Sequence, residues 1–404
     1  MQAASADPCS GLLTDKANHP MTALAKPALL QAVTDPQFGT TIRRISSTVN
    51  NGIVVPMYSP IPAWNVDETY LILYHTGSDQ YAGEHVLYDG KTYQFLKVLP
   101  LESPTDLEQV HWDPANPDVL YYPSNYNGGR RFMRYRVSTN QNEMLRDFST
   151  APTSCASGTV LGGDSHQYMS WEANNKVIGL QCGNKKFAYN IGTDTVYAIQ
   201  TLSSSGVPGV APSGNLMLWD GKVYDTQTFT LQRTLSMAVV DEHSSNGRLA
   251  NGTDVHNVVS FDDAEPGSLV SYDLTTGARK VVIGPATGYP YPPSGTHISS
   301  VAIRNPGYVA LSIIGTGTGQ SLLDNELVIA DLNTNRVCRA AHHHSKESVD
   351  YWGEPHATIS PSGTRILFGS DWGGTSVDTY VVELPSYGSI SLLSPPTNLR
   401  IVMP

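Results

Sequence analysis

Short apolar runs separated by polar, glycine- or proline-bearing turns fill most of this chain, and no sustained helical period interrupts them. Ser360-Pro361-Ser362-Gly363 is a tight turn between two such runs, Ala357 to Ile359 and Arg365 to Phe368, and predicts an antiparallel hairpin. A histidine stands four residues before a serine that leads into a turn and an apolar strand at His166 to Ser170, His256 to Ser260 and His356 to Ser360. His297 repeats the offset with Val301 in the serine's place, and His111 sits two residues further along, on the same strand face. A repeat of roughly 40–50 residues built from a few short strands is the mark of a β-propeller.

Seven such units fit the chain, at about 60–100, 107–148, 160–201, 206–237, 250–284, 294–340 and 352–385. The expectation is an all-β, seven-bladed β-propeller over residues 35–388, preceded by an N-terminal arm at 1–34 and followed by a linker at 389–404. Asp35 to Ser46 reads as a strand ahead of the first complete unit. Such a strand serves best as the outer strand of the last blade, where it closes the ring and removes an exposed edge.

Composition agrees with a turn-rich β protein: 35 glycines and 27 prolines among 404 residues, with only 15% charged. The net charge of −11 argues against nucleic acid and against an anionic membrane surface, and no apolar run reaches membrane-spanning length. A monomer is expected. Cys9, Cys155, Cys182 and Cys338 lack metal-type spacing and are read as two disulfides, Cys155 with Cys182 and Cys9 with Cys338, in a secreted or periplasmic protein. The start reads as a mature chain with an added methionine. Ser394-Pro395-Pro396-Thr397 reads as a proline linker entering a fibronectin-type strand.

In a propeller the first strand of each blade lines the central channel, so histidines at those starts would converge near one mouth. Imidazoles there offer metal binding or proton transfer. Glu354, two residues before His356, adds a carboxylate, and His297, Glu354, His356 and His256 form the expected mixed nitrogen and oxygen site. The cations available for a polyanion are Arg130, Arg131, Lys185 with Lys186, and Arg248. His342-His343-His344 falls between blades six and seven, and at least two of the three are expected in a loop. No Gly-x-Ser-x-Gly elbow, phosphate-cradling loop or paired-cysteine zinc pattern is present.

The hairpin Ser360 to Gly374 resembles the TolB-type propeller repeat, which speaks to fold alone. Taken with the Asp35 to Ile45 strand and the channel histidines, the whole chain resembles the seven-bladed polysaccharide lyases, oligogalacturonate and ulvan lyases among them. Oligogalacturonate lyases hold manganese with a histidine from one blade and a glutamine plus a histidine pair from the next. That pattern falls here on His297, Tyr351, Glu354 and His356, so Tyr351 replaces the glutamine and Glu354 one histidine. The resemblance implies a divalent metal, manganese or calcium ahead of zinc.

The function expected is cleavage of a uronic-acid-containing polysaccharide or oligosaccharide by β-elimination at the channel mouth. That chemistry needs the carboxylate neutralised and a base at the C5 proton. His166 and His256, with Tyr168 behind them, are the candidates for proton transfer. Two alternatives stand beside it: a propeller that binds carbohydrate or protein without catalysis, and a glycoside hydrolase using two of Asp164, Asp254 and Glu354.

Overall fold

The structure, a computed structural model, describes residues 7–162, 169–203, 206–236, 243–260, 268–289, 297–346 and 350–387. The sequence-based readings of His166, Tyr168, Asp164 and both chain ends fall outside these residues. Seven antiparallel sheets follow one another along the chain, and each is one blade of a propeller.

Blade one is Gly52–Val55, Tyr70–Gly77, His85–Asp89 and Phe95–Leu99. Blade two is His111–Trp112, Val119–Ser124, Arg131–Arg136 and Gln141–Asp147. Blade three contains Val177–Cys182 and Lys185–Asn190, with Thr195–Val196 and Gln200–Thr201 outside them. Blade four is Gly209–Val210, Leu216–Trp219, Lys222–Asp225 and Leu231–Thr234. Blade five is Ser244–Arg248, Asp254–Ser260, Ser268–Asp273 and Arg279–Ile283, and blade six is His297–Ser299, Tyr308–Ile313, Glu326–Asp331 and Arg336–His342.

Blade seven closes the ring as the sequence predicts. Thr358–Ile359, Arg365–Ser370 and Asp378–Glu383 are joined by Thr41–Arg44 from the N-terminal segment, and Ala32–Thr34 adds a fifth strand outside it. The closing strand runs antiparallel, Thr41 opposite Glu383 and Arg44 opposite Tyr380. Its hairpin is set by Asp35, whose Oδ1 accepts the Gln37 and Phe38 N–H groups at 2.8 and 2.9 Å.

Two blades begin earlier than the apolar pattern indicates. In blade one, Tyr70–Gly77 is the second strand, and the inner position is held first by Gly52–Val55 and then by Trp64, which bridges to Leu71. In blade five, the polar stretch Ser244–Arg248 is itself the inner strand. Its side chains bind neighbouring blades: Asn246 Nδ2 donates to the Gly209 carbonyl at 3.1 Å, and Ser245 Oγ accepts the Ser300 N–H at 3.0 Å.

The cores lie between adjacent blades. Ala310, Leu327 and Ile329 of blade six pack on Ile359, Ile366 and Phe368 of blade seven, all buried. A buried ion pair fastens the ring where it closes: Arg365 of blade seven donates to Glu68 of blade one at 2.7 Å and to the Tyr93 hydroxyl at 3.1 Å. Its guanidinium also lies 4.6 Å from the Trp64 ring centroid. Disulfides join Cys9 to Cys338 and Cys155 to Cys182, with Cα separations of 5.6 and 5.9 Å. The first ties the N-terminal arm to blade six.

Candidate metal and catalytic site

Blades five, six and seven bring their inner-strand starts to one mouth of the channel. His297 opens the inner strand of blade six, with Ser312 opposite it, and His356 stands two residues ahead of Thr358–Ile359 in blade seven. Glu354 follows the short 3-10 turn Asp350–Gly353. One ligand atom from each of His297, Glu354 and His356 can be chosen so that all lie within 4.8 Å of one another. His297 Nδ1 is 3.5 Å from Glu354 Oε2.

His356 is fixed for ligation. Its backbone φ is 43°, in the left-handed region, and its Nδ1 lies 2.8 Å from the Glu354 carbonyl. Because a carbonyl only accepts, Nδ1 carries the proton and Nε2 keeps its lone pair. That buried Nε2 has no hydrogen-bond partner among the described residues. Burial pushes this imidazole down to about 3, only partly offset by the Glu354 carbonyl. A buried orphan acceptor beside a second imidazole and a carboxylate suits a divalent cation, so this donor set fits the metal that the sequence implies.

Three aromatic side chains complete the cluster. The His243 ring, just ahead of blade five's inner strand, stacks on His297 at 4.0 Å. His297 and His356 also lie 4.0 Å apart between centroids. Tyr58 approaches His297 at 5.7 Å, and Tyr351, 39% exposed, approaches His356 at 4.6 Å.

Behind Tyr351 sits Glu108, which shares a hydrogen bond with Tyr351 and whose Oε1 accepts the Tyr74 hydroxyl at 2.7 Å. Burial raises the Glu108 carboxyl to about 7, with Asp106 adding to the rise and the two tyrosines opposing it. Since the folded state holds this proton more tightly than the unfolded value of 4.5, the contribution is full below that value and fades as pH rises through 7. A shift of this size corresponds to about 3 kcal/mol. Glu108→Gln should therefore flatten the fall in thermal stability between about pH 5 and pH 8; an unchanged slope would remove Glu108 as its source.

Among the described residues, the remaining sequence candidates lie apart from this cluster. His256 is not at the start of an inner strand: it lies in the second strand of blade five, its Nδ1 2.8 Å from Asn246 Oδ1. The offset to Ser260 repeats by sequence, but the polar strand before it holds the channel position. His111 does open the inner strand of blade two, where it is buried. Arg248 ends the strand that His243 precedes, about 15 Å along it. There it pairs with Glu172 at 2.6 Å and with Asp254 at 3.2 Å. Asp254 accordingly does not face Glu354, which removes it as a glycosidase partner.

Arg130 and Arg131 lie at the loop between the second and third strands of blade two, at the same end as His111. Lys185 Nζ donates to the Thr153 and Ser154 carbonyls at 2.5 and 3.2 Å, and Lys186 Nζ to Gln181, so both lysines hold the fold locally. Of the histidine tract, His342 ends the outer strand of blade six while His343 and His344 are in the following loop, all three buried. His243 and Tyr58 escaped the sequence reading. The usable signal for His243 was the need for an inner strand between the fourth unit and Asp254.

No known family model and no curated protein matches the chain by sequence. Among solved structures it resembles an oligogalacturonate lyase in complex with manganese, at 15% identity and a TM-score of 0.63, covering 88% of this chain and 96% of that one. It resembles the oligogalacturonate lyase of Vibrio parahaemolyticus equally in TM-score, 0.63, at 13% identity and the same coverage of 88% and 96%. A chain of the mitotic checkpoint complex matches at 12% identity and a TM-score of 0.52, covering 92% and 98%. At these identities the likeness speaks to architecture: the chain has the seven-bladed propeller fold that the oligogalacturonate lyases share.

Proposed function

We propose that this protein is a polysaccharide lyase that cleaves a uronic-acid-containing polysaccharide or oligosaccharide by β-elimination at the channel mouth. The observation that carries the reading is the convergence of His297, Glu354 and His356 with an orphan Nε2 on His356. A divalent cation held by these three residues would supply the positive charge that neutralises the uronate carboxylate.

The chain's own residues supply the rest. His243, less buried than His297 and His356 and stacked on the His297 ring, takes the C5 proton. Tyr351, 39% exposed, set against the His356 ring and steadied by Glu108, gives a proton to the departing O4 oxygen. The electron pair left at C5 forms the C4–C5 double bond as the C4–O bond breaks, so no water is consumed. The buried tyrosine and histidine rings keep competing water from the reacting carbon.

The two disulfides favour a place outside the cytoplasm, and the acidic body requires the local positive charge that such a centre provides for an anionic chain. Mass analysis of products from uronate oligosaccharides tests the reaction class. Elimination leaves one unsaturated end per cut, whereas products carrying the mass of added water would make the protein a hydrolase, and intact substrate would favour a binding propeller.

A further inference from the structure

A second candidate binding surface lies on the outer wall of the ring, where the closing strand of blade seven meets blade one. There a cavity of about 310 Å³ is lined by Leu29, His75, Gln80, Tyr81, Gln94 and Phe95, among others. It adjoins the outer strand Phe95–Leu99, whereas the metal site sits on inner strands, three strand spacings or about 14 Å away within a blade.

Its floor is aromatic and its rim is polar. Tyr81 and Phe95 lie nearly parallel, 20° apart with centroids at 5.8 Å, and Phe95 is 48% exposed. Leu29, 49% exposed, extends the apolar surface beside Phe95, and an apolar patch with a polar rim is the mark of a binding surface. The platform is also held in place rather than left to a free loop. Gly83 N–H donates to the His75 carbonyl at 2.8 Å, Tyr81 N–H to Asp79 Oδ1 at 2.9 Å, and His75 Nδ1 lies 2.6 Å from the same oxygen.

Gln80 and Gln94, both exposed, supply amide donors and acceptors at the edge. No arginine or lysine is among the lining residues described. Burial keeps the His75 imidazole neutral, and hydrogen bonds from the Tyr81 backbone and His75 outweigh burial to keep Asp79 ionised. The lining residues thus carry one negative charge and offer no cation of their own to a carboxylate.

We infer that this cavity is a secondary carbohydrate site that takes an uncharged pyranose unit, its C–H face on Tyr81 and Phe95 and its hydroxyls on Gln80 and Gln94. A pyranose has one apolar C–H face and a hydroxyl rim, matching a ring platform edged by amides. The site would hold a neutral stretch of a long polymer while the channel mouth works on its uronate units. It rests on the proposed function only for the ligand class, carbohydrate.

The test is affinity electrophoresis of the full chain carrying His356→Ala, so that cutting cannot interfere, through gels containing mixed-linkage β-glucan, arabinoxylan or polygalacturonate. At least one neutral polymer should retard it, and Phe95→Ala or Tyr81→Ala should weaken that retardation about tenfold. Leu231→Ala, which removes an exposed apolar side chain elsewhere, should change nothing. Absence of retardation by both neutral polymers, or retardation that survives Phe95→Ala, overturns the site. Retardation by polygalacturonate alone also overturns it, since that ligand belongs to the channel mouth. If the unsubstituted protein cuts nothing yet binds a neutral polymer through Phe95, the lyase reading falls and this site stands.

Discussion

His356→Ala should lose ~10³-fold in turnover of a uronate polymer, the scale seen when a preorganised charge-stabilising group is removed, while costing less metal-free stability than the roughly 3–5 kcal/mol usual for truncating a buried ring. The second half of this expectation separates a functional histidine from a structural one. A buried nitrogen without a partner costs the fold its desolvation, so deleting it removes a penalty together with the packing of the ring. Added manganese should raise the melting temperature of the wild type and leave that of His356→Ala unchanged, because only a ligand of the native state stabilises it. His297→Ala should lose activity to the same degree, and His342→Ala, at the end of blade six's outer strand, should keep it. Equal activity in all three variants would contradict the site. A large loss of metal-free stability in His356→Ala would make that residue a structural one.

Glu68→Ala should destabilise the propeller by about 3–5 kcal/mol, the usual cost of removing one partner from a buried ion pair. Arg365 is fully buried and Glu68 is its one carboxylate partner among the described residues. Glu68 also accepts the Ser362 N–H at 2.6 Å and pairs with Arg304 at 2.9 Å, so one carboxylate ties blade one to blades six and seven. Burial alone would raise its pKa, but Arg365, Ser362 and Arg304 outweigh it and hold the group below its ordinary 4.5. Stability from a depressed carboxylate is present above the unfolded value and is lost as pH falls through the folded one. Denaturant unfolding at neutral pH should therefore show the full loss in Glu68→Ala, and the gap to wild type should narrow in acid. A deficit below about 1 kcal/mol would place the closure of the ring elsewhere, in the strand pairing alone.

The fold was legible because each blade advertises its second and third strands as apolar runs around a polar turn, as Arg365–Ser370 and Asp378–Glu383 do. The ring closure was legible for a related reason: Thr41–Arg44 lies ahead of the first complete unit, so the last blade is the one left to take it. Inner strands are harder. They are short, and one of them carries small or polar side chains that bond across blades in place of an apolar run. Ser244–Arg248 is the instance that misled the reading: at Gly247 a Cβ would come within 2.8 Å of Ser300 Cβ, so close packing demands the glycine that made the stretch look like a loop. Once that strand is in place, His243 moves to the mouth and His256 moves out of it.

The candidate site divides the same way. His297, Glu354 and His356 were found because they sit at blade starts that apolar runs follow directly. Tyr58 was missed because Pro56, Pro60 and Pro62 break the inner position of blade one into pieces that do not read as a strand. Arg248 was misplaced by the direction of its strand. A cation at the far end of an inner strand faces the opposite mouth, and composition alone gives no sign of which end that is.

The most direct measurement is the ultraviolet absorbance of unsaturated uronate ends, followed while the protein acts on pectic, ulvan-type, alginate and glucuronan polymers, with chelator and then with manganese restored. The account predicts a rise on at least one polymer that chelator abolishes, that manganese recovers, and that His356→Ala never shows. No rise on any polymer, or a rise that His356→Ala retains, would contradict it.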